Sequence, residues 1–113
     1  MIRVYGTKNC DSVKKALSFF KSHNLEYELI DFKTQKITCE KISEWLEHSD
    51  MKTLFNSRST TYRTLKLKEL NPNEDEKKEW LCKENMLIKR PVVEFNDQVV
   101  VGFNSDIYKG VFL

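Results

Sequence analysis

Residues 2–31 read IRVYGTKNCDSVKKALSFFKSHNLEYELID, and this stretch decides the fold of the 113-residue chain. The apolar residues at 2–5 predict a short strand, and residues 27–31 predict a second one. The segment between them, from 10 to 23, predicts a helix because apolar side chains recur there at helical spacing, at Val13, Ala16, Leu17 and Phe20. A strand, a helix and a strand within about 30 residues form a βαβ unit, so we expect the two strands to be parallel.

The C-terminal part of the chain predicts an antiparallel hairpin followed by a helix. Residues 92–95 (VVEF) and 99–101 (VVV) flank the polar residues Asn96, Asp97 and Gln98, which is typical of two strands joined by a short turn. Asn104 or Ser105 is a candidate cap for the final helix. Between the two halves, residues from about 38 to 84 show helical patterns and predict an insert.

This order of elements predicts the fold class. A parallel βαβ unit joined to an antiparallel hairpin, with helices on the faces of the sheet, is the layout of thioredoxin. We therefore predict an α/β, thioredoxin-like fold: a four-stranded mixed sheet with flanking helices and a helical insert. Because 113 residues suffice for one domain and are too few for two, we expect a single domain over residues 1–113.

Charge and hydropathy argue against several classes of partner. Charged residues make up 32% of the chain, but the two signs nearly cancel to a formal net charge of +2. This balance gives no broad electrostatic field, so we expect neither direct nucleic acid binding nor a membrane partner. No apolar run approaches the roughly 18 residues of a membrane span, and the N-terminus lacks the pattern of a signal peptide. We therefore predict a cytoplasmic protein.

Three cysteines, Cys10, Cys39 and Cys82, are widely spaced along the chain. Their odd number and the absence of an export signal argue against a structural disulfide. Cys39 falls in the first turn of one predicted helix and Cys82 falls late in another, and we expect both to be small, unreactive residues. Weak activation of Cys39 by its own helix N-terminus is the alternative. Neither histidine lies at metal-ligand spacing from a cysteine, so no metal site is predicted.

Cys10 is the candidate catalytic residue because it lies where the first strand and loop give way to the first helix. Unpaired backbone N–H groups and the positive end of the helix dipole stabilise a thiolate at such a position. Lys8 adds a positive charge, and both Lys8 and Asn9 are predicted substrate contacts. Val13 stands three residues after Cys10, so the chain has no Cys-x-x-Cys dithiol. A mechanism with one cysteine needs a second thiol from elsewhere, for which glutathione is the usual source.

Two other segments carry candidate substrate contacts. Pro91 cannot donate a hydrogen bond to a sheet, so it is expected at the start or edge of a strand. Arg90 precedes it and is a candidate for binding an anion or a carboxylate near the thiol. Arg58 lies among hydroxyl side chains in residues 56–63 and is a candidate for the same task.

Four segments together resemble the ArsC-related proteins, and the resemblance extends over nearly the whole chain. They are YGTKNCDS at 5–12, RSTTYR at 58–63, RPVV at 90–93 and VGFN at 101–104. The resemblance implies a thioredoxin-like fold in which Cys10 is the nucleophile and Arg90 binds an anion. It also implies that Pro91 is a cis-proline that packs beside the active cysteine.

The sequence is most similar to the YffB-like branch of that family, which is thought to act in glutathione-dependent thiol reduction. The resemblance therefore implies an enzyme, a thiol–disulfide reductase that forms a mixed disulfide between Cys10 and glutathione or a glutathionylated protein. Glutaredoxin is a further candidate partner, and glutathione is expected as a co-substrate with no bound cofactor.

Two other branches of the family imply different functions. The glutaredoxin-linked arsenate reductases use three arginines, of which only Arg90 is securely matched. Arg58 lies in the segment that carries another, although the register favours Asn56 at that position, and Phe103 stands near the third. Spx is a non-enzymatic regulator that binds RNA polymerase and carries a Cys-x-x-Cys switch, which this chain lacks because of Val13.

Overall fold

Four strands form one mixed sheet in the computed structural model, which describes residues 1–113. β1 (Ile2–Gly6) and β2 (Tyr27–Asp31) are parallel. β3 (Val92–Phe95) is antiparallel to β1, and β4 (Gln98–Val101) is antiparallel to β3. The strand order is β2-β1-β3-β4, which confirms the predicted sheet.

Seven α-helices accompany the sheet: α1 (Asp11–Ser22), α2 (Cys39–His48), α3 (Met51–Leu54), α4 (Thr60–Thr64), α5 (Leu67–Leu70), α6 (Glu74–Lys83) and α7 (Ser105–Phe112). A short 3₁₀ helix covers Asn85–Leu87. The longest helix, α1, has 12 residues, and no helix combines the length and apolar character that crossing a bilayer requires.

The chain divides into two compact units. The sheet unit comprises Met1–Lys33 and Arg90–Leu113, and it holds all four strands with α1 and α7. The helical unit comprises Thr34–Lys89 and holds the other five α-helices and the 3₁₀ helix.

The core of the sheet unit lies between one face of the sheet and two helices. Ile2 and Val4 alternate along β1 and point to the same face, where Val93 of β3 pairs with Val4. Helices α1 and α7 cover this face with large apolar side chains. The buried cluster consists of Ile2, Val4, Ala16, Phe19, Phe20, Val93, Tyr108 and Phe112. Both flanking helices are thereby placed by the burial of aromatic residues.

The hairpin and the last helix follow local sequence signals. Asn96 and Asp97 form a two-residue turn with φ of 47° and 62°, and such left-handed pairs match the twist of a hairpin. Gln98, expected in the turn, instead pairs with Phe95 as the first residue of β4. Asn104 caps α7 by accepting a hydrogen bond from the backbone N–H of Ile107 at 3.0 Å.

The helical unit has its own buried core and its own capping signals. Asn73 caps α6 and forms a capping box with Glu76, and Pro72 lies directly before this cap. Trp80 is partly exposed, with Lys83 Nζ 5.3 Å from its ring centroid. The fully buried side chains of this unit are Ile42, Trp45, Leu54, Leu67, Leu81, Leu87 and Ile88.

Two of the three cysteines are paired. Cys39 and Cys82 form a disulfide, with Cα atoms 5.1 Å apart and a sequence separation of 43. The expectation that the chain has no disulfide is therefore wrong. Cys39 opens α2 and Cys82 lies in the last turn of α6, and these helices pack together. Spacing along the chain does not reveal that contact.

Candidate functional site

Cys10 is the N-cap residue of α1, with extended backbone angles of φ −80° and ψ 126°. Its carbonyl accepts the first helical hydrogen bond from the N–H of Lys14 at 3.0 Å, and its own N–H donates to the Thr7 carbonyl at 3.2 Å. The side chain makes no capping hydrogen bond and is partly exposed, and this cysteine is the free one. The helix N-terminus therefore faces a thiol that is accessible for reaction.

The loop before Cys10 is held closely against the first turn of α1. An added Cβ on Gly6 would lie 2.6 Å from Val13 Cγ2, so only glycine fits at this position without movement. Thr7 is buried, whereas Lys8 and Asn9 are exposed beside the thiol. The predicted contacts Lys8 and Asn9 are thus available to a ligand that reaches Cys10.

Arg90 joins this loop from the other end of the chain. Its Nη1 donates a hydrogen bond to Thr7 Oγ1 at 3.4 Å, and the side chain is partly buried. The structure thereby brings a guanidinium to the loop that positions Cys10. Thr7 was not singled out from the sequence. The sequence feature that could have identified Thr7 is a small hydroxyl residue between Cys10 and Gly6, the glycine that packs closely against Val13.

Pro91 is buried, and the Arg90–Pro91 peptide bond is cis, as the family resemblance implies. Its carbonyl accepts a hydrogen bond from Gly102 N–H at 2.7 Å. The Gly102 carbonyl in turn accepts from the hydroxyl of Tyr108 at 2.7 Å. Burial raises the pKa of Tyr108, so the phenol stays a proton donor. A chain of hydrogen bonds thus fixes the backbone next to Arg90.

Arg58 belongs to the helical unit and lies in the turn before α4. Its backbone N–H donates to Asn56 Oδ1 at 3.0 Å, and its carbonyl accepts from Arg63 Nη1 at 3.1 Å. The Arg58 side chain is exposed. It lines an open cleft together with Ser57, Tyr62, Arg63, Lys66, Lys68 and Glu69. The surroundings of Arg58 are therefore predominantly basic.

Phe103 occupies the position near which the third arginine of the arsenate reductases was expected. Its ring packs edge-on against Tyr108 at 4.9 Å and against Phe19 at 6.5 Å between centroids. The side chain is a partly buried extension of the aromatic core. No group of three His, Cys, Asp or Glu side chains that could hold a metal ion occurs in the structure.

Comparison with known proteins relates this geometry to a family. A protein of unknown function from Haemophilus influenzae is 35% identical over 99% of both chains. The solved structure of the YFFB protein superposes with a TM-score of 0.92 at 30% identity over 100% of both chains. A possible arsenate reductase from Streptococcus mutans gives a TM-score of 0.77 at 29% identity, covering 95% of this chain and 97% of its own.

Transcriptional regulators are also among the relatives. The Spx protein of Lactiplantibacillus plantarum is 22% identical over 94% of this chain and 82% of its own.

Residues 5–111 match the profile of the ArsC family, a span that runs from β1 to α7 and includes Cys10, Arg90 and Pro91. The solved structures share an arsenate reductase-like fold with this chain. Because the family profile also matches nearly all of its residues, the chain belongs to the ArsC family.

Proposed function

We propose that this protein is a thiol–disulfide reductase that acts through Cys10 with glutathione as co-substrate. The observation that carries the proposal is a free, partly exposed thiol at the N-terminus of a 12-residue helix. Backbone N–H groups and the positive end of the helix dipole stabilise negative charge that develops at a helix N-terminus. We also propose that the protein works in the reducing cytoplasm, because a lone nucleophilic cysteine stays free under such conditions.

The proposed reaction has two exchange steps. The Cys10 thiolate attacks the glutathione sulfur of a glutathionylated protein, and the protein thiolate leaves and takes up a proton. A second glutathione thiolate then attacks the glutathione sulfur of the mixed disulfide at Cys10. This step releases oxidised glutathione and restores the Cys10 thiolate. Glutaredoxin is a candidate to replace the second glutathione.

The surrounding residues are proposed to hold the glutathione. Arg90 pairs with a carboxylate of the peptide, because guanidinium and carboxylate form strong charge-assisted hydrogen bonds. Lys8 and Asn9 contribute exposed donors next to the thiol, and Pro91 shapes the groove. Arg58 lies in the helical unit, so it stays a proposed substrate contact whose role is tested separately.

The experiment isolates Cys10 in a Cys39→Ser/Cys82→Ser variant. We expect oxidised glutathione to form one adduct with this protein and none with the matched variant that also carries Cys10→Ser. Arg90→Ala should slow removal of glutathione from a glutathionylated substrate about tenfold or more, because one charge-assisted hydrogen bond is lost. Arg90→Lys should retain part of the rate, and Arg58→Ala tests the second arginine. Absence of any adduct at Cys10 contradicts the proposal.

Arsenate reduction is the second candidate, supported by the similarity to a possible arsenate reductase. Arsenate carries charge that several fixed donors must balance, and each charge-assisted hydrogen bond contributes about 1.5–3 kcal/mol. Phe103 packs in the aromatic core and supplies none. We therefore expect little arsenate turnover with glutathione and glutaredoxin present. Efficient turnover would make arsenate reduction the function instead.

A role as a polymerase-binding regulator is the third candidate, supported by the similarity to Spx. The Cys-x-x-Cys switch of Spx has no counterpart here, because Val13 stands three residues after Cys10. Binding of purified RNA polymerase to the full chain, measured with and without a glutathione adduct, tests the remaining possibility. Stable binding without any thiol exchange would favour the regulator.

A further inference from the structure

Cys39 and Cys82 lie together on the surface of the helical unit. Cys39 is exposed as the first residue of α2, and Cys82 is partly exposed in the last turn of α6. Their Cα atoms are 5.1 Å apart, within the ordinary range for a disulfide. Both residues line an open cleft of about 860 Å³. A small molecule can therefore reach this pair of sulfur atoms.

The two helices are held together by contacts other than the disulfide. The side chain of Asn85 accepts a hydrogen bond from the N–H of Ile37 at 2.8 Å and donates to the Leu81 carbonyl at 2.9 Å. It thus links the residues just before α2 to the end of α6. Ile37, Ile42 and Leu81 of the same segments are buried, and α2 packs against α6. The two sulfur atoms therefore stay close when both are thiols.

We propose that Cys39 and Cys82 form a reversible dithiol–disulfide switch that exchanges with low-molecular-weight disulfides such as oxidised glutathione. The switch is a second exchange site, independent of the reaction proposed for Cys10. The cleft offers both signs of charge to a zwitterionic peptide. Its charged lining residues are Lys36, Lys78, Lys83, Glu40, Asp75 and Glu79.

The exchange is balanced in two steps. The Cys39 thiolate attacks one sulfur of the small disulfide, forms a mixed disulfide and releases the first small thiol. The Cys82 thiolate then attacks the Cys39 sulfur, closes the protein disulfide and releases the second small thiol. The protein loses two electrons and two protons, and one small disulfide becomes two thiols. Excess small thiol reverses both steps.

The positions of the two residues on their helices set the order of attack. Cys39 lies at a helix N-terminus, where unpaired N–H groups favour a thiolate, and it is the more exposed of the two. Cys82 lies near a helix C-terminus, where the negative end of the dipole disfavours an anion. Cys39 is therefore the entering nucleophile, and Cys82 is the resolving thiol.

The test uses the full chain carrying Cys10→Ser, which removes the reaction proposed for Cys10. The protein is equilibrated without oxygen in glutathione buffers of varied oxidation state and examined by intact mass spectrometry. We expect the protein mass to fall by two hydrogen atoms as the buffer becomes more oxidising, and to return when the buffer is made reducing again. Two free thiols in every buffer, or a disulfide that persists in fully reduced glutathione, would overturn the switch.

Two further variants in the same background test the order of attack. With Cys82→Ser added, Cys39 should accumulate a stable glutathione adduct because its resolving thiol is gone. With Cys39→Ser added, adduct formation on Cys82 should be about tenfold slower or more. Equal rates, or a faster reaction at Cys82, would overturn the assignment of Cys39 as the entering nucleophile. The protein lacking all three cysteines is the control without adduct.

Discussion

Gly6 lies where the end of β1 meets the first turn of α1, directly before the loop that carries Cys10. Replacing it by alanine puts a methyl group 2.6 Å from Val13 Cγ2, much closer than carbon atoms pack. We expect Gly6→Ala to lower the free energy of unfolding by about 1–3 kcal/mol through overpacking. Urea denaturation followed by circular dichroism measures this loss.

Gly110 offers a matched control on α7. A Cβ at this position meets nothing within 4 Å, and alanine is a better helix former than glycine. Gly110→Ala should therefore raise the free energy of unfolding by about 0.5–1 kcal/mol. If both substitutions stabilise the protein, the close approach of Gly6 to Val13 is not maintained in solution.

Tyr108 donates a buried hydrogen bond to the Gly102 carbonyl at 2.7 Å. Tyr108→Phe leaves that carbonyl without this partner and should cost about 1–3 kcal/mol of unfolding free energy. The loss should be measurable by urea denaturation near neutral pH.

The same residue predicts a dependence on pH. The folded protein raises the pKa of Tyr108 above its ordinary value of 10.0 through burial. Its contribution to stability is thus complete below about pH 10 and is lost as pH rises through the folded pKa. The wild type should therefore lose stability more steeply than Tyr108→Phe above that pH. If the free energies of unfolding of the two proteins change with pH in parallel, the raised pKa of Tyr108 is contradicted.

At the scale of single residues, local signals predict some positions and not others. Cys10 was found because a polar loop and a helical apolar stripe meet at that residue. Tyr108 was predicted only as part of a helix, because its partner Gly102 is fixed by the packing of α7 on the sheet. Thr7 was missed for a similar reason, since Arg90 reaches it from 83 residues away in sequence.

Among the elements, the Asn85 link joins the start of α2 to the end of α6. Asn85→Ala removes the acceptor of the Ile37 N–H and should cost about 1–3 kcal/mol. Asn85→Asp keeps an oxygen acceptor but loses the donor to the Leu81 carbonyl, so it should cost less. Thermal unfolding of the two variants measures the difference. Equal losses would mean that the bond to Ile37 contributes little.

The strands and α1 follow their sequence patterns closely, because each carries its own periodicity. The predicted strand at 27–31 matches β2, and Asn104 caps α7 as expected. The helical unit was harder. Its residues 51–70 form three short helices, and such short segments are defined by tertiary contacts more than by sequence pattern. The pairing of Cys39 with Cys82 also depends on tertiary contacts, those between α2 and α6, so the sequence pattern does not predict it.

At the scale of the whole molecule, the sequence predicts one domain, and this stays a prediction. A single cooperative transition should then appear whichever unit is observed. Fluorescence of Trp45, which is fully buried, follows the helical unit. Hydrogen exchange of peptides from β1 and β3 follows the sheet unit. Coincident denaturation midpoints are expected, and separate midpoints would contradict a single domain.

The Cys39–Cys82 bond encloses a long stretch of the helical unit. A cross-link over 43 residues restricts the unfolded chain and should add about 4 kcal/mol of stability by loop closure. Urea denaturation of the oxidised Cys10→Ser protein, compared with the variant lacking all three cysteines, measures the increase. Equal midpoints would show that the bond does not restrict the unfolded chain.

The sheet unit is built from two segments that flank the helical unit in sequence, and this has a consequence during synthesis on the ribosome. β1 is translated before the helical unit, but its antiparallel partner β3 starts at Val92, after it. Arg90, which donates to the loop holding Cys10, is also translated only after most of the helical unit. The helical unit is continuous in sequence and can form while the chain is still growing. The nascent protein therefore carries Cys10 long before Arg90, which binds the same loop, is made.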